Sequence, residues 1–276
     1  MRFTKMQGLG NDFVVLDGIS RPCELSAADV RWLADRRYGV GCDQVLVAQP
    51  PTRPDADCRY RIYNADGGEV EHCGNGVRCL ARFLQREGLA GTGEICFETV
   101  NGLSRVRVNE DASVTVDMGR PVLDPNAIPF HAAARAPTYQ LTVDDVTYTI
   151  GAVSMGNPHA VLSVADIDSA AIATLGPAIE SHPSFPNRAN VGFMAVDSPD
   201  RVRLRVYERG AGETLACGTG ACAAVVAGRL QGQLADSVRV TLPGGELMIY
   251  WPGDEAPVEM TGPAAAVFTG ETLPPN

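Results

Sequence analysis

Two cysteines stand at equivalent positions in two similar stretches of this chain. RIYNADGGEVEHCGNG (61–76) and RVYERGAGETLACGTG (205–220) align without a gap and share seven of sixteen residues, including Cys73 with Cys217. Gly-x-Gly and then an apolar run with helical spacing follow each cysteine. Helix N-termini favour negative charge, so a thiol there can have a pKa below its usual value of roughly 8.5. The N–H groups of such a helix end can also hold a carboxylate. The pattern predicts a potential thiolate beside a carboxylate site in each half.

Two equivalent thiols suit the inversion of a carbon stereocentre. This reaction removes a proton from one face of a carbon atom and returns a proton to the opposite face. One cysteine can act as a thiolate base while the other, still protonated, acts as the acid. The N–H groups at the two helix ends would stabilise the negative charge that develops as the proton leaves. Cys73 and Cys217 are therefore predicted to be catalytic and to titrate as a coupled pair.

The similarity of the two stretches extends upstream and indicates an internal duplication. At a spacing of 146 residues, Gly10-Asn11-Asp12 matches Gly156-Asn157-Pro158, and Gln44 matches Asn190. We expect an N-terminal lobe over 1–130 that carries Cys73 and a C-terminal lobe over 131–276 that carries Cys217, with a C-terminal strand that could cross back to the first lobe.

The periodicity predicts an α+β fold for both lobes. A Ser-x-x-Asp capping pattern opens a helix at Ser26, and two strand pairs around 94–108 and 238–251 are typical of β-hairpins. The helix that follows Cys217 is apolar on nearly every side, which is typical of a buried helix. We therefore expect two pseudo-symmetric lobes, each a curved, mostly antiparallel sheet wrapped around one central helix.

The two halves also differ in ways that indicate an asymmetric substrate. Asn64 aligns with Glu208, and Ala65 aligns with Arg209. Glu208 could bind an ammonium group, and Arg209 could form paired hydrogen bonds with a carboxylate. Four amide side chains at echoing positions could contact the same substrate or could serve only as turn and capping residues; they are Asn11, Gln44, Asn157 and Asn190.

The composition excludes several functional classes. The net charge of −10 without a basic patch argues against a nucleic-acid partner, and no apolar run is long enough to span a membrane. No signal-peptide pattern is present, so we expect a cytoplasmic protein whose eight cysteines are reduced. Their spacing does not fit zinc, and Lys5, the only lysine, lacks the surroundings of a pyridoxal-phosphate site. No metal and no cofactor are expected.

Several segments together resemble the diaminopimelate epimerase family. They are GLGNDFVV, NADGGEVEHCGNGVRC, GNPHAV at 156–161, RANVGF at 188–193 and ERGAGETLACGTGACAA. The resemblance covers essentially the whole chain. It implies a two-lobed, pyridoxal-independent epimerase with its active site between the lobes, which interconverts LL- and meso-diaminopimelate on the route to lysine and peptidoglycan.

The same resemblance implies roles for individual residues. Cys73 and Cys217 would be the catalytic pair, with His159 and Glu208 in support. The implied substrate contacts are Asn11, Gln44, Asn64, Gly74, Asn75, Asn157, Asn190, Glu208, Arg209, Gly218 and Thr219. Members of the family usually form homodimers through a tyrosine near the C-terminus, and here Phe268 stands at that position without the hydroxyl. Gly68 replaces a serine that the family often carries.

Three other functions are compatible with the two cysteines. An epimerase of proline or hydroxyproline would use the same thiols but would leave Arg209 and the amides with less to bind. A thiol–disulfide redox protein could use them as a reversible disulfide, although no CxxC motif is present. A non-catalytic amino-acid-binding protein would bind the substrate without turnover.

Overall fold

The computed structural model describes residues 1–70, 73–91, 93–100, 102–168, 170–253 and 256–273. The chain divides into two compact units. Unit 1 contains residues 1–117 and 261–276, and unit 2 contains residues 118–260. In the described residues, helices are few and strands predominate in both units.

Unit 1 contains two helices. Eight of its strands precede residue 118. The helices are α1 (Ala27–Ala34) and α2 (Gly74–Arg86). The first eight strands are β1 (Arg2–Gly8), β2 (Asn11–Asp17), β3 (Gln44–Gln49), β4 (Cys58–Asn64), β5 (Glu69–Val70), β6 (Glu94–Thr99), β7 (Gly102–Val108) and β8 (Val114–Asp117).

Unit 2 repeats this order of elements. Its helices are α3 (Ile172–Glu180) and α4 (Gly218–Leu230). Its strands are β9 (Tyr139–Val143), β10 (Val146–Ser154), β11 (Pro158–Ser163), β12 (Asn190–Ser198), β13 (Arg201–Glu208), β14 (Gly212–Thr214), β15 (Ser237–Leu242) and β16 (Gly245–Tyr250). The chain then passes through β17 (Glu259–Gly262) into β18 (Ala265–Glu271), which pairs antiparallel with β1 of unit 1.

Helical crossovers explain where the strands run parallel. The pairs β2–β3 and β11–β12 are parallel and are joined through α1 and α3. The pairs β4–β6 and β13–β15 are also parallel and are joined through α2 and α4. Parallel neighbours require such long connections, whereas hairpins such as β6–β7 and β15–β16 are antiparallel. Antiparallel pairs predominate in the described residues, as the sequence predicts.

A central helix is the core element of each unit. α2 packs against β1, β2, β3, β4, β7 and β8, and α4 packs against β10, β11, β12, β13 and β16. Residues Gly220–Gly228 of α4 are all buried, as its apolar sequence predicts. The expected α+β class, with a sheet around a central helix in each unit, is confirmed. No helix in the described part of the chain is long and apolar enough to cross a membrane.

The boundary between the units lies earlier than the position expected near residue 130. β8 ends at Asp117, and the next residue, Met118, donates its N–H to the carbonyl of Val258 in unit 2. Ile128 and Phe130 then pack into the hydrophobic core of unit 2. The segment 118–130 therefore belongs to unit 2 because its backbone bonds and apolar side chains are satisfied there.

The second glycine of each Cys-Gly-x-Gly motif allows the helix to approach the sheet closely. A Cβ atom on Gly76 would lie 2.6 Å from the Tyr60 hydroxyl oxygen, and one on Gly220 would lie 3.0 Å from a methyl group of Val206. Tyr60 and Val206 lie on β4 and β13. The glycines therefore permit close helix–sheet packing at the first helical turn.

We expect Gly76→Ala to destabilise the protein by about 1–3 kcal/mol, since the added methyl group must displace Tyr60 and overpacking in a core costs this much. Chemical denaturation followed by circular dichroism measures the change. Gly91→Ala is the matched control because a Cβ there meets open space. In a Tyr60→Phe background the cost of Gly76→Ala should shrink. An equal cost in both backgrounds would contradict the proposed clash.

Candidate active site

Cys73 is the N-cap residue of α2 and lies beside two amide side chains. Its Sγ atom donates to Asn11 Oδ1 over 3.7 Å, and Asn75 Nδ2 donates to the same oxygen over 3.4 Å. Asn11 opens β2, and Asn75 is the second residue of α2 and is 4% exposed. Gly74 is the first residue of α2. The structure thus brings four of the predicted residues together at one helix end.

Gln44 and Asn64 form a second pair in unit 1. They face each other across β3 and β4, and Gln44 Nε2 donates to Asn64 Oδ1 over 2.8 Å. The remaining side-chain oxygen of Gln44, Oε1, is buried and accepts no hydrogen bond from the described residues. Buried acceptors are normally satisfied, so this oxygen can receive a donor from a bound ligand.

A charged network lies next to Asn11 and was not predicted from the sequence. Lys5 Nζ donates to the carbonyl of Gly41 and to Asp12 Oδ2, over 2.7 Å in the second case. Arg36 donates to both oxygens of Asp12 and to Asp43 Oδ1. Burial opposes the ionisation of Asp12, but hydrogen bonds from Arg36 and Lys5 outweigh it and hold the pKa of this carboxyl below its usual value. Asp12 is therefore ionised at neutral pH.

Arg78 is a second residue that sequence reasoning missed. Its side chain is fully buried, and it donates to Asn75 Oδ1 over 2.9 Å and to the carbonyls of Gly74 and Pro263 over 3.3 Å. The feature of the sequence that could have indicated this residue is an arginine in the first turns of a helix whose buried face is otherwise mostly apolar. A cation is unfavourable near a helix N-terminus, so its presence there requires dedicated acceptors.

In unit 2, His159 lies on β11 and interacts with two predicted amides. His159 Nε2 lies 3.0 Å from Asn157 Oδ1 and 3.5 Å from Asn190 Nδ2. The ring is 1% exposed, and burial together with the charge of Arg209 lowers the pKa of His159 to about 3. His159 is therefore neutral at pH 7. The Asn157 oxygen, the nearer of the two partners, can only accept, so this contact requires the proton on Nε2.

Asn190 connects this group to Glu208 and Arg209. Asn190 Oδ1 accepts the backbone N–H of Arg209 over 2.9 Å, and Arg209 Nη1 donates to the carbonyl of Asn187 over 2.9 Å. Glu208 ends β13 and accepts from the Thr214 hydroxyl over 2.5 Å. The structure thus places a carboxylate and a guanidinium at consecutive positions of one turn, beside the buried amide.

Cys217 is the N-cap residue of α4, and its environment differs from the expectation of a lowered pKa. The residue is 5% exposed, and its Sγ lies 3.5 Å from the Thr219 hydroxyl. Burial and the neighbouring Glu208 carboxylate raise the pKa of the Cys217 thiol well above its usual value, although Thr219 and the N–H of Gly220 act in the opposite direction. Desolvation outweighs the helix end, so Cys217 is a neutral thiol at pH 7.

The remaining predicted residues lie at the start of α4 and on β18. Gly218 and Thr219 form the start of α4. Phe268 lies on β18, where its ring makes an edge contact with Phe3 at 5.9 Å and remains 49% exposed. Within the described residues, no group of three or more His, Cys, Asp or Glu side chains could hold a metal ion.

Comparisons of the sequence identify its relatives. The model of the family described as "Diaminopimelate epimerase" matches residues 3–123 and 151–267. A diaminopimelate epimerase from Alkalilimnicola ehrlichii is 64% identical over 273 residues, which cover 98% of each chain. One from Thioalkalivibrio sulfidiphilus is 60% identical over 272 residues, again with 98% of each chain covered.

Solved structures with lower sequence identity share the fold. A probable proline racemase from Agrobacterium radiobacter superposes with a TM-score of 0.68 at 16% identity, over 99% of this chain and 92% of that one. A hydroxyproline epimerase from Agrobacterium vitis, with bound trans-4-hydroxy-L-proline, gives 0.69 at 16% identity, over 98% of this chain and 91% of that one. At these identities the similarity supports the fold alone.

The neutral, buried state of His159 predicts how stability depends on pH. Its pKa is about 3 in the folded protein and near 6.5 when unfolded, so the unfolded chain binds the extra proton between these values. The contribution of His159 to stability is complete above pH 6.5 and is lost as the pH falls toward 3. From pH 7 to pH 5 this loss is about 2 kcal/mol.

Chemical denaturation at pH 7 and pH 5 tests this, with His159→Gln as the variant. Its amide nitrogen can still donate to Asn157, but it does not titrate. We expect the loss of unfolding free energy between the two pH values to be smaller in His159→Gln than in the unsubstituted protein. His131→Gln, at an exposed position, is the control and should lose as much as the unsubstituted protein. Equal losses in all three proteins would rule out His159 as the source.

Proposed function

The chain belongs to the diaminopimelate epimerase family, and on that premise we propose that it interconverts LL- and meso-2,6-diaminopimelate by proton transfer at two cysteine thiols. Under this proposal no cofactor takes part. The reaction would supply lysine and peptidoglycan synthesis, in the cytoplasm, where thiols stay reduced.

The observation that carries this proposal is the equivalent placement of the two cysteines. Cys73 and Cys217 are the N-cap residues of α2 and α4, the central helices of the two units. Each thiol therefore lies beside the N-terminus of the central helix of its unit. A structural cysteine has no reason to occupy this position twice.

The first turns of α2 and α4 supply the proposed carboxylate site. Helix N-termini present unpaired N–H groups and a favourable dipole to an anion. We assign the backbone N–H groups of Gly74, Asn75, Gly218 and Thr219 to the carboxylate of the reacting stereocentre. As the α-proton leaves, negative charge spreads onto this carboxylate, and the fixed donors stabilise the charge without reorganisation.

The environment of Cys217 affects its strength as a base. Burial and Glu208 raise its pKa, so its thiolate is scarce at neutral pH but strongly basic once formed. An α-proton beside a carboxylate is only weakly acidic, so a strong base is useful. The hydroxyl of Thr219, 3.5 Å from Sγ, is suited to donate to that thiolate.

Polar residues of both units are proposed to bind the other groups of the substrate. The buried Oε1 of Gln44 needs a donor, and a substrate ammonium group supplies one. Glu208 and Arg209 carry the charges that complement a second aminocarboxylate end. We further propose that Asn64, Asn157 and Asn190 contact this end, with His159 acting as the neutral donor that orients Asn157.

Proton NMR in heavy water tests the reaction directly. Purified, reduced protein is mixed with LL-diaminopimelate, and the α-proton signal is followed over time. We expect this signal to disappear while the meso isomer forms, because the returning proton comes from solvent-exchanged thiol. Absence of exchange with both thiols confirmed reduced would overturn the substrate. Exchange with proline or 4-hydroxyproline instead would identify the alternative epimerase activity.

The two-thiol mechanism predicts the behaviour of cysteine variants in the same assay. Cys73→Ala and Cys217→Ala should each reduce epimerisation by at least about a thousandfold, because each removes one of the two proton-transfer groups. Cys23→Ala, which removes a half-buried thiol elsewhere, is the control and should retain activity. Normal turnover by either catalytic variant would exclude this mechanism.

We also propose a homodimer formed through β18. The strand exposes two large apolar side chains, Val267 at 58% and Phe268 at 49%. Phe3 already covers one edge of the Phe268 ring. A second copy of the chain would cover the rest of this apolar surface.

Sedimentation or light scattering measures the expected dimer. Phe268→Asp should shift the protein to a monomer, since it would place a charge in an apolar contact, whereas Phe268→Tyr should preserve the dimer. Tyr38→Asp is the matched control because Tyr38 is 84% exposed and lies on another part of unit 1. A Phe268→Asp protein with unchanged mass would contradict this interface.

A further inference from the structure

The orientation of the Asn11 amide is determined by its hydrogen-bond partners on both sides. Asn11 Nδ2 donates to Asp43 Oδ2 over 3.0 Å. Asn11 Oδ1 receives Asn75 Nδ2 over 3.4 Å and faces Cys73 Sγ at 3.7 Å. Exchanging the nitrogen and oxygen would place two acceptors together at Asp43 and two donors together at Asn75.

Asp43 can only accept, and donors occupy both of its oxygens. Oδ2 accepts the backbone N–H of Asp12 over 3.1 Å in addition to Asn11, and Oδ1 accepts Arg36 over 2.7 Å. Arg36 is itself held by Asp12, which is held by Lys5. These hydrogen bonds hold the Asp43 carboxylate in place, with Oδ2 directed at Asn11.

The opposite side of Asn11 is held in the same sense. The buried Arg78 can only donate, and it donates to Asn75 Oδ1 over 2.9 Å. The Asn75 amide must therefore direct its Nδ2 toward Asn11. An acceptor-only group and a donor-only group at the two ends thus determine the direction of every hydrogen bond between them.

We propose that Asp43 is a positioning residue that holds the carbonyl oxygen of Asn11 toward Cys73 and so stabilises the protonated thiol of Cys73 in the protein without substrate. A thiol donates to this oxygen, whereas a thiolate would face its lone pairs, so the contact stabilises the protonated form. The inference rests on the proposed function only in giving Cys73 a catalytic role.

The equivalent amide in unit 2 has a different partner. Asn157, which matches Asn11, has its oxygen bound by the donor His159 Nε2. At the same spacing of 146 residues, Asp43 matches Ala189, which has no side-chain acceptor. Cys217 lies next to the Thr219 hydroxyl and the Glu208 carboxylate. The two cysteines therefore have different hydrogen-bond partners despite their equivalent places in the fold.

The titratable and charged groups near Cys73 fall into two sets: neutral groups that interact with it, and charged groups next to Asn11 and Asn75. Tyr60 on β4 and Cys79 on α2 interact with Cys73, and burial raises the pKa of both groups, to about 12 for Cys79, so both are neutral at working pH. The charged residues next to Asn11 are Lys5, Asp12, Arg36 and Asp43. Arg78 lies on the side of Asn75. Asn11 links Asp43 to the thiol through its nitrogen and its oxygen.

The rate of Cys73 alkylation as a function of pH measures this effect without any substrate. Iodoacetamide reacts with the thiolate, and mass spectrometry of the tryptic peptide 62–78, which contains Cys73 alone, follows the reaction. We expect Asp43→Asn to shift the midpoint of the profile to lower pH by about half a unit to one unit, the effect of one ordinary hydrogen bond. Asn11→Ala should produce a similar shift.

A double-mutant cycle separates positioning from a direct charge effect. If Asp43 acts through Asn11, Asp43→Asn should produce no further shift in the Asn11→Ala background. A shift of equal size in both backgrounds would overturn the proposal, because removal of a negative charge acts through space. Asp12→Asn removes one charge from the same cluster but leaves the Asn11–Asp43 bond, so it should shift the midpoint less than Asp43→Asn does.

One further variant and one fallback comparison make the result decisive. Asp43→Glu keeps an acceptor-only carboxylate and should restore most of the original profile. If Asp43→Asn does not fold, as judged by circular dichroism, Asn11→Ala alone decides: an unchanged Cys73 midpoint would refute the inference. Loss of epimerase activity without a change in the alkylation profile would also refute it. Failure of the proposed epimerase reaction would leave this measurement unaffected.

Discussion

The close approach of a helix N-terminus to the sheet is the constraint on which each unit depends. A Cβ atom would clash with the Tyr60 hydroxyl at Gly76 and would be tightly crowded by Val206 at Gly220, so the first turn of each helix packs closely on side chains of a strand. This packing fixes Cys73 and Cys217 as N-cap residues at the start of buried helices. The backbone N–H groups of the first turn are held in the same rigid frame, which favours a site that must hold a developing negative charge.

Burial makes the two helix ends chemically different from exposed ones. An exposed helix N-terminus lowers the pKa of a thiol, but at Cys217 the loss of solvent and the Glu208 carboxylate outweigh that effect. Burial also keeps His159 neutral, so this residue serves as a hydrogen-bond donor and not as a cation. A carboxylate such as Asp12 remains charged because Lys5 and Arg36 bind it.

The duplicated fold carries two different sets of side chains. Its backbone repeats closely, with the parallel pairs β2–β3 and β11–β12 at matching places. In unit 1 the Asp43 carboxylate accepts from the Asn11 amide nitrogen, whereas in unit 2 the His159 imidazole contacts the Asn157 amide oxygen. Such a difference suits a reaction whose substrate has a distinct second end, because symmetric contacts could not distinguish the two.

The sequence by itself determined the duplication, the α+β class and the position of each cysteine at a helix start. Local signals suffice for these, since the repeat, the Gly-x-Gly motifs and the hydrophobic periodicity are all properties of short segments. It also indicated Asn11, Gln44 and Asn190 as polar candidates, because they occur at echoing positions.

Only the tertiary structure decided how these groups are partnered. The boundary at Asp117 depends on hydrogen bonds and core contacts made far along the chain. The roles of Asp43 and Arg78 depend on neighbours 32 and 185 residues away in sequence. The direction of the Cys217 pKa shift depends on how much solvent the fold removes. Burial and long-range hydrogen bonding exist only once the chain is folded, so no local pattern could supply them.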